Sequence, residues 1–200
     1  MRPLSRAEWA VVAFNLGYLG LFTAHFLTGG NAEFLWYILT MAVLMGLVGW
    51  LSRRAHLPVA VLWALSIWGL AHMAGGGVPV GEGVLYGLVV VPLVADGELV
   101  LLRFDQIVHA YGFGVTAWLV WLLAIGTVPA MRGTRTALTL AALSAMGLGA
   151  ANEMVEFAAV LSLPRTGVGG YINTALDLVF NALGAVAAVA AIAWRERRRT

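Results

Sequence analysis

Six apolar runs constrain this chain more than any other feature. Each is close to or beyond the length of about 20 residues that a helix needs to cross the hydrocarbon of a bilayer. They occupy residues 7–27, 33–51, 57–74, 105–128, 136–163 and 172–194. Composition agrees: 61% of residues are hydrophobic and 11% charged, where a soluble domain carries about 25% charged residues. The expected architecture is all-α, a polytopic membrane helix bundle forming a single integral membrane domain over residues 1–200. The first run follows Arg2 and Arg6, as a signal peptide would. It is too long for a signal core, and no small-x-small cleavage site follows; Thr28-Gly29-Gly30-Asn31 reads as a turn.

Residues 78–102 are ambiguous. Their apolar core, 83–95, contains Pro92 and is followed by Asp96-Gly97-Glu98. Such a length suits a re-entrant or interfacial segment better than a span. Charge decides the count. With six spans and both ends inside, Arg2, Arg6, Arg53, Arg54, Arg132, Arg135, Arg195, Arg197, Arg198 and Arg199 face the cytoplasm, and Arg103 and Arg165 face outward. A seventh span would divide the arginines evenly. The positive-inside rule therefore selects six, with both termini cytoplasmic. Trp9, Trp36, Trp50 and Trp194 lie near helix ends, where an aromatic belt belongs. The arginines form no basic face, which excludes nucleic acid as a partner. The absence of cysteine excludes disulfides and thiolate metal sites.

Against this apolar background the polar residues stand out. The run 136–163 contains two charges, Glu153 and Glu156, in the stretch Asn152-Glu153-Met154-Val155-Glu156. A charge at the centre of a spanning helix costs roughly 2.5 kcal/mol or more, so such residues face an interior or a watery cavity. In the six-span topology His25, Glu33, His72, Asp105, His109, Glu153, Glu156, Asn173, Asp177 and Asn181 all fall toward the outer leaflet. Asp105 with His109, Asn152 with Glu156, and Asp177 with Asn181 are each spaced i, i+4, hence neighbours on one helix face. Three consecutive helices thus carry a polar stripe at about one depth. A carboxylate bonded to one imidazole nitrogen frees the other as ligand or base. Buried polar groups can also simply bond one another and fix packing, and a lone His25 or His72 is explained that way. The glycines of the loop 164–171 and of Gly75-Gly76-Gly77 allow close backbone approach to a ligand, or serve as turns.

Four blocks carry a resemblance. Ala71-His72-Met73-Ala74-Gly75-Gly76, Phe104-Asp105-Gln106-Ile107-Val108-His109, Asn152-Glu153-Met154-Val155-Glu156-Phe157 and Asp177-Leu178-Val179-Phe180-Asn181-Ala182-Leu183-Gly184 resemble the YjdF-like family of bacterial inner-membrane proteins. The last three are also similar to VanZ-like membrane proteins. The resemblance implies a polytopic fold in the bacterial cytoplasmic membrane and names no activity. The family's loop before the last helix carries acidic residues where this chain has Gly170 and Asn173.

Three functions remain open from the residues. In the first, His25, His72 and His109, with Asp105 or Asp177, bind Zn²⁺ or another divalent metal. Glu153 or Glu156 is then general base, in a metal-assisted hydrolase or transferase acting on a lipid or lipid-linked ester at the outer leaflet. Glu33, Asn152, Asn173 and Asn181 are polar support. In the second, acids and histidines form the relay of a proton-coupled carrier, although no inverted repeat accompanies them. In the third, the polar core is structural. The topology makes its own prediction: a reporter fused after Thr200 should read as cytoplasmic, and a periplasmic signal would overturn the six-span arrangement.

Overall fold

The structure, a computed structural model, describes residues 3–29, 32–92, 95–96, 99–162 and 169–198. The loop residues 163–168, with Arg165, and the side chain of Glu33 lie outside the described residues, as does the side chain of Trp36. Six helices are long and apolar enough to cross a membrane. They are α1 (Arg6–Gly29), α2 (Ala32–Ala55), α3 (Val59–Gly77), α4 (Phe104–Thr127), α5 (Arg135–Ser162) and α6 (Tyr171–Arg197). Their bounds fall within a few residues of the six apolar runs. Residues 78–103 do not form a seventh. They hold two short antiparallel hairpins, β1 (Pro79–Val80) with β2 (Gly83–Val84) and β3 (Ala95–Asp96) with β4 (Leu99–Val100), around a single 3-10 turn. Outward faces such as Leu16, Leu21, Leu39, Val43, Leu143 and Leu183 are apolar and exposed. Lipid is the solvent that suits them.

The chain groups into two compact units, Met1–Leu88 with Phe157–Val168, and Val89–Glu156 with Gly169–Thr200. In the first, α1 and α3 run parallel. Asn15 meets Ser66, a side chain at Gly69 would strike Tyr18, and one at Gly77 would meet Phe22 and Phe26. Tyr18, Phe22, Phe26, Met41 and Met73 make the core. The polar residues here are satisfied: Asn15 Nδ2 donates to Ser66 Oγ at 2.6 Å and to Val11 O at 2.8 Å, and Tyr18 donates to Asn15 Oδ1 at 2.9 Å. Ser66 donates in turn to Leu62 O at 2.8 Å. This network is a packing device. Trp50 and Trp194 are exposed near helix ends, with the Arg54 and Arg198 guanidinium groups 4.6 and 3.7 Å from their ring centroids. Both pairs suit a headgroup layer.

In the second unit α4 and α6 are parallel and in register. Asp105 pairs with Asn173, His109 with Asn181, and Trp121 packs near Ile192. α5 runs the opposite way between the same partners: Ala137 and Ala141 join Trp121 and Ile192, Ala145 joins Ala117 and Ala185, and Glu153 reaches His109. Small residues set the spacing. A Cβ on Gly184 would lie 2.6 Å from the Ala110 carbonyl carbon and 2.8 Å from its Cα, and one on Gly114 would lie 3.1 Å from the Gly184 oxygen. The two backbones touch, which is how helices pack where lipid gives no hydrophobic drive. Gly184→Ala should therefore lower the thermal stability of the detergent-solubilised protein by about 1–3 kcal/mol. Gly147→Ala meets nothing within 4 Å and is the control, expected neutral or mildly stabilising.

Candidate functional site

The N-terminal turns of α4 and α6 and the second half of α5 meet in a cluster of one histidine and four carboxylates. Asp105 and His109 lie one turn apart on α4, Asp177 and Asn181 one turn apart on α6. Glu153 and Glu156 come from α5. The cluster is buried: Asp177 is 0% exposed, Asn181 1%, His109 5% and Glu153 8%. His109 is its centre. Nε2 stands 3.5 Å from Asp105 Oδ1, and Nδ1 stands 3.0 Å from Asn181 Oδ1 and 3.7 Å from Glu153 Oε1. An amide oxygen only accepts, so Nδ1 donates to Asn181 Oδ1, and Nε2 faces Asp105.

Asn173 performs the matching task on the carboxylates. Its Nδ2 donates to Asp177 Oδ2 at 2.6 Å and to Asp105 Oδ2 at 3.3 Å. Asp177 Oδ1 is left buried without a hydrogen-bond partner. Both Glu153 oxygens are in the same condition among the described residues, His109 Nδ1 being too distant for a hydrogen bond. Asn152 Nδ2 donates to Glu156 Oε1 at 2.9 Å. Two groups have ligand-type atoms within 4.8 Å of one another: Asp105 with His109 and Asp177, and His109 with Glu153 and Glu156. The first is favoured as a cation site, because His109 presents Nε2 to it. The second would require Nδ1, which Asn181 occupies.

Of the residues singled out in the sequence, Asp105, His109, Glu153, Glu156, Asp177, Asn152, Asn173 and Asn181 come together in this unit. His25 and His72 belong to the other unit. His25 is exposed, its ring 5.5 Å from that of Phe26. His72 is half-buried, with Nδ1 2.6 Å from the Tyr86 hydroxyl, which also donates to the His72 carbonyl at 2.9 Å. The described cluster therefore holds one histidine, where the sequence suggested three. At Gly169 a Cβ would lie 2.6 Å from Asn173 Cγ, so the backbone there runs close to that side chain.

Two residues escaped the sequence reading. Gln106, 1% exposed, anchors the chain entering α4. Its Oε1 accepts from Leu102 N at 2.6 Å and Arg103 N at 3.2 Å, and its Nε2 donates to Val100 O at 2.9 Å. Leu102 is thereby held at φ 66°, a conformation that a bulky side chain rarely adopts. Arg103 follows it, with its Nε buried and unpartnered. A signal existed for each: Gln106 stands three residues past the helix cap, and Arg103 opposes the charge bias at the outer helix ends.

The sequence model of one family matches residues 10–198. The chain belongs to that family, described as Predicted membrane protein (DUF2238). It is thus a membrane protein with six candidate spans, of a family whose description names no activity. No curated protein and no solved structure matches it significantly.

Crowded carboxylates predict their own response to neutralisation. In protein stripped of ions with a chelator, Asp177→Asn should raise the melting temperature, the substitution relieving roughly 1–3 kcal/mol of unsatisfied burial. A lowered melting temperature in the stripped protein would show that the charge is compensated from within the chain.

Proposed function

We propose that Asp105, His109 and Asp177 hold a divalent cation, and that this ion serves a hydrolase or transferase acting on a lipid or lipid-linked substrate. The observation that carries the reading is the set of orphaned carboxylate oxygens, Asp177 Oδ1 and both of Glu153, inside an apolar bundle. A buried carboxylate without a partner is strongly unfavourable. A cation among the four acids offsets that cost. The asparagines support it as well: Asn173 and Asn181 bond to Asp177 Oδ2, Asp105 Oδ2 and His109 Nδ1, as residues that orient metal ligands do. One nitrogen among oxygens suits Mn²⁺ or Mg²⁺ and also accommodates Zn²⁺. Glu153 and Glu156 are the candidate general bases for an ion-activated water. The resemblance to YjdF-like and VanZ-like proteins supports placement in the bacterial cytoplasmic membrane. The arginine distribution supports cytoplasmic termini, which puts the cluster toward the outer leaflet.

One observation favours a second reading. The two nitrogens of His109 each face a carboxylate, Asp105 at 3.5 Å and Glu153 at 3.7 Å. That is the arrangement of a proton relay, which would make the protein a proton-coupled carrier.

Metal content of the detergent-purified protein separates the readings. The expected outcome is a stoichiometric ion in the wild type and in Glu153→Gln, with affinity falling about tenfold or more in Asp177→Asn, His109→Ala and Asn181→Ala. No ion in any folded variant, together with pH-driven flux in liposomes, would establish the carrier. No ion, with the variants failing to fold, would leave a structural polar core.

A further inference from the structure

We infer that the ligand of this site carries a phosphoryl group, gripped between the cation and the Arg103 guanidinium; the inference rests on the metal reading above. Arg103 caps α4 two residues before Asp105. The other described arginines of its unit, Arg132, Arg135, Arg195, Arg197 and Arg198, lie at or beyond the opposite ends of α4, α5 and α6. Arg103 is therefore the one described arginine of the unit at the cluster's end. Among the described residues it makes an ion pair with neither Asp105 nor Asp177. A guanidinium placed only to neutralise those acids would bond to them. Instead its Nε is buried and unpartnered, a costly state unless a ligand supplies the acceptor.

The backbone is built to hold it there. Gln106 fixes Arg103 N and Leu102 N, Leu102 sits at φ 66°, and Leu102 O accepts from Val90 N at 2.9 Å. The guanidinium fork matches a tetrahedral anion in two parallel bonds. The start of α6 adds to the same end: its cap is Gly170, with no side-chain cap bond, so first-turn N–H groups and the positive end of the helix dipole remain for an anion. An ester offers Arg103 only a neutral carbonyl acceptor, a weaker partner for a guanidinium than a charged phosphoryl oxygen. A phosphoryl oxygen can meet the cation and the guanidinium together. The group can belong to a lipid headgroup or to a soluble phosphate.

The test uses full-length protein in nanodiscs loaded with Mn²⁺, whose binding is read by electron paramagnetic resonance. Bound Mn²⁺ broadens the ³¹P resonance of a phosphate that contacts it. Two probes are read separately, inorganic phosphate in solution and phosphatidic acid in the nanodisc. The expected result is Mn²⁺-dependent broadening of one probe, weakened about tenfold or more in apparent affinity by Arg103→Gln, with Mn²⁺ binding retained. Broadening of inorganic phosphate alone assigns a soluble source, and of phosphatidic acid alone a lipid source. No broadening of either, or broadening unchanged in Arg103→Gln, overturns the inference and leaves the metal reading standing. Failure to bind Mn²⁺ overturns both. Should Arg103→Gln not fold, Arg103→Lys keeps the charge without the fork, and wild-type affinity there overturns the inference equally.

Discussion

The contact between Gly184 and the Ala110 backbone governs the second unit. Parallel helices carrying Asp105 and Asp177 repel at the very ends that must approach. Their N-terminal dipoles offset part of that, by about 0.3–1 kcal/mol per nearby acid. The rest has to come from packing below the acids, where Gly114, Ala117, Gly184, Ala185 and Ala188 bring the backbones together. The small-residue seam is therefore what positions the cluster. Any side chain at Gly184 would spread the helices and with them Asn173 from Asp105, whose hydrogen bond at 3.3 Å has little slack.

Much of this was legible in the residues. The six spans follow from hydropathy and length, and the i, i+4 stripes of α4, α5 and α6 correctly marked which faces turn inward. The grouping of the histidines was not legible. His25 and His72 share an expected depth with His109, but depth is one coordinate, and helix order leaves rotation and neighbour choice open. In the structure His72 is engaged by Tyr86, fourteen residues away through a hairpin whose folding no periodicity announces. The hairpins lie in the segment 78–102, expected from its length to be re-entrant or interfacial, and two-residue strands carry no alternation that would announce them. Gln106 carries only the general signal of an amide three residues past a helix cap; the bonds it makes to the backbone of Leu102 and Arg103 are seen only in the structure.

Asn181 and Asn173 decide how the cluster can be used. Asn173 spends its amide nitrogen on Asp177 and Asp105, and Asn181 its oxygen on His109, with Asn181 Nδ2 buried and unpartnered. Were the cluster only a packing device, the economical arrangement would turn those donors toward the orphaned oxygens of Asp177 and Glu153, saturating them. Instead the amides engage Asp177 Oδ2, Asp105 Oδ2 and His109 Nδ1, while Asp177 Oδ1 stays bare at 0% exposure. Amides that bond one atom of a carboxylate or imidazole and leave another bare are suited to orienting those groups.

The same reasoning separates a bound cation from a travelling proton. A relay needs His109 to exchange protons at both nitrogens, and hence Asn181 to accept from Nδ1 in one state and donate to it in the other. That exchange requires the amide to turn over. Gly149 bears on the amide directly: a Cβ there would lie 2.6 Å from Asn181 Nδ2 and 3.0 Å from Cγ, so α5 backbone closes over that side chain. Packing this tight resists rotation of the amide. A held amide impedes a relay through Asn181 and suits an imidazole fixed in place as a ligand. The close approach of Gly149 thus argues for a resident cation over proton transfer through His109.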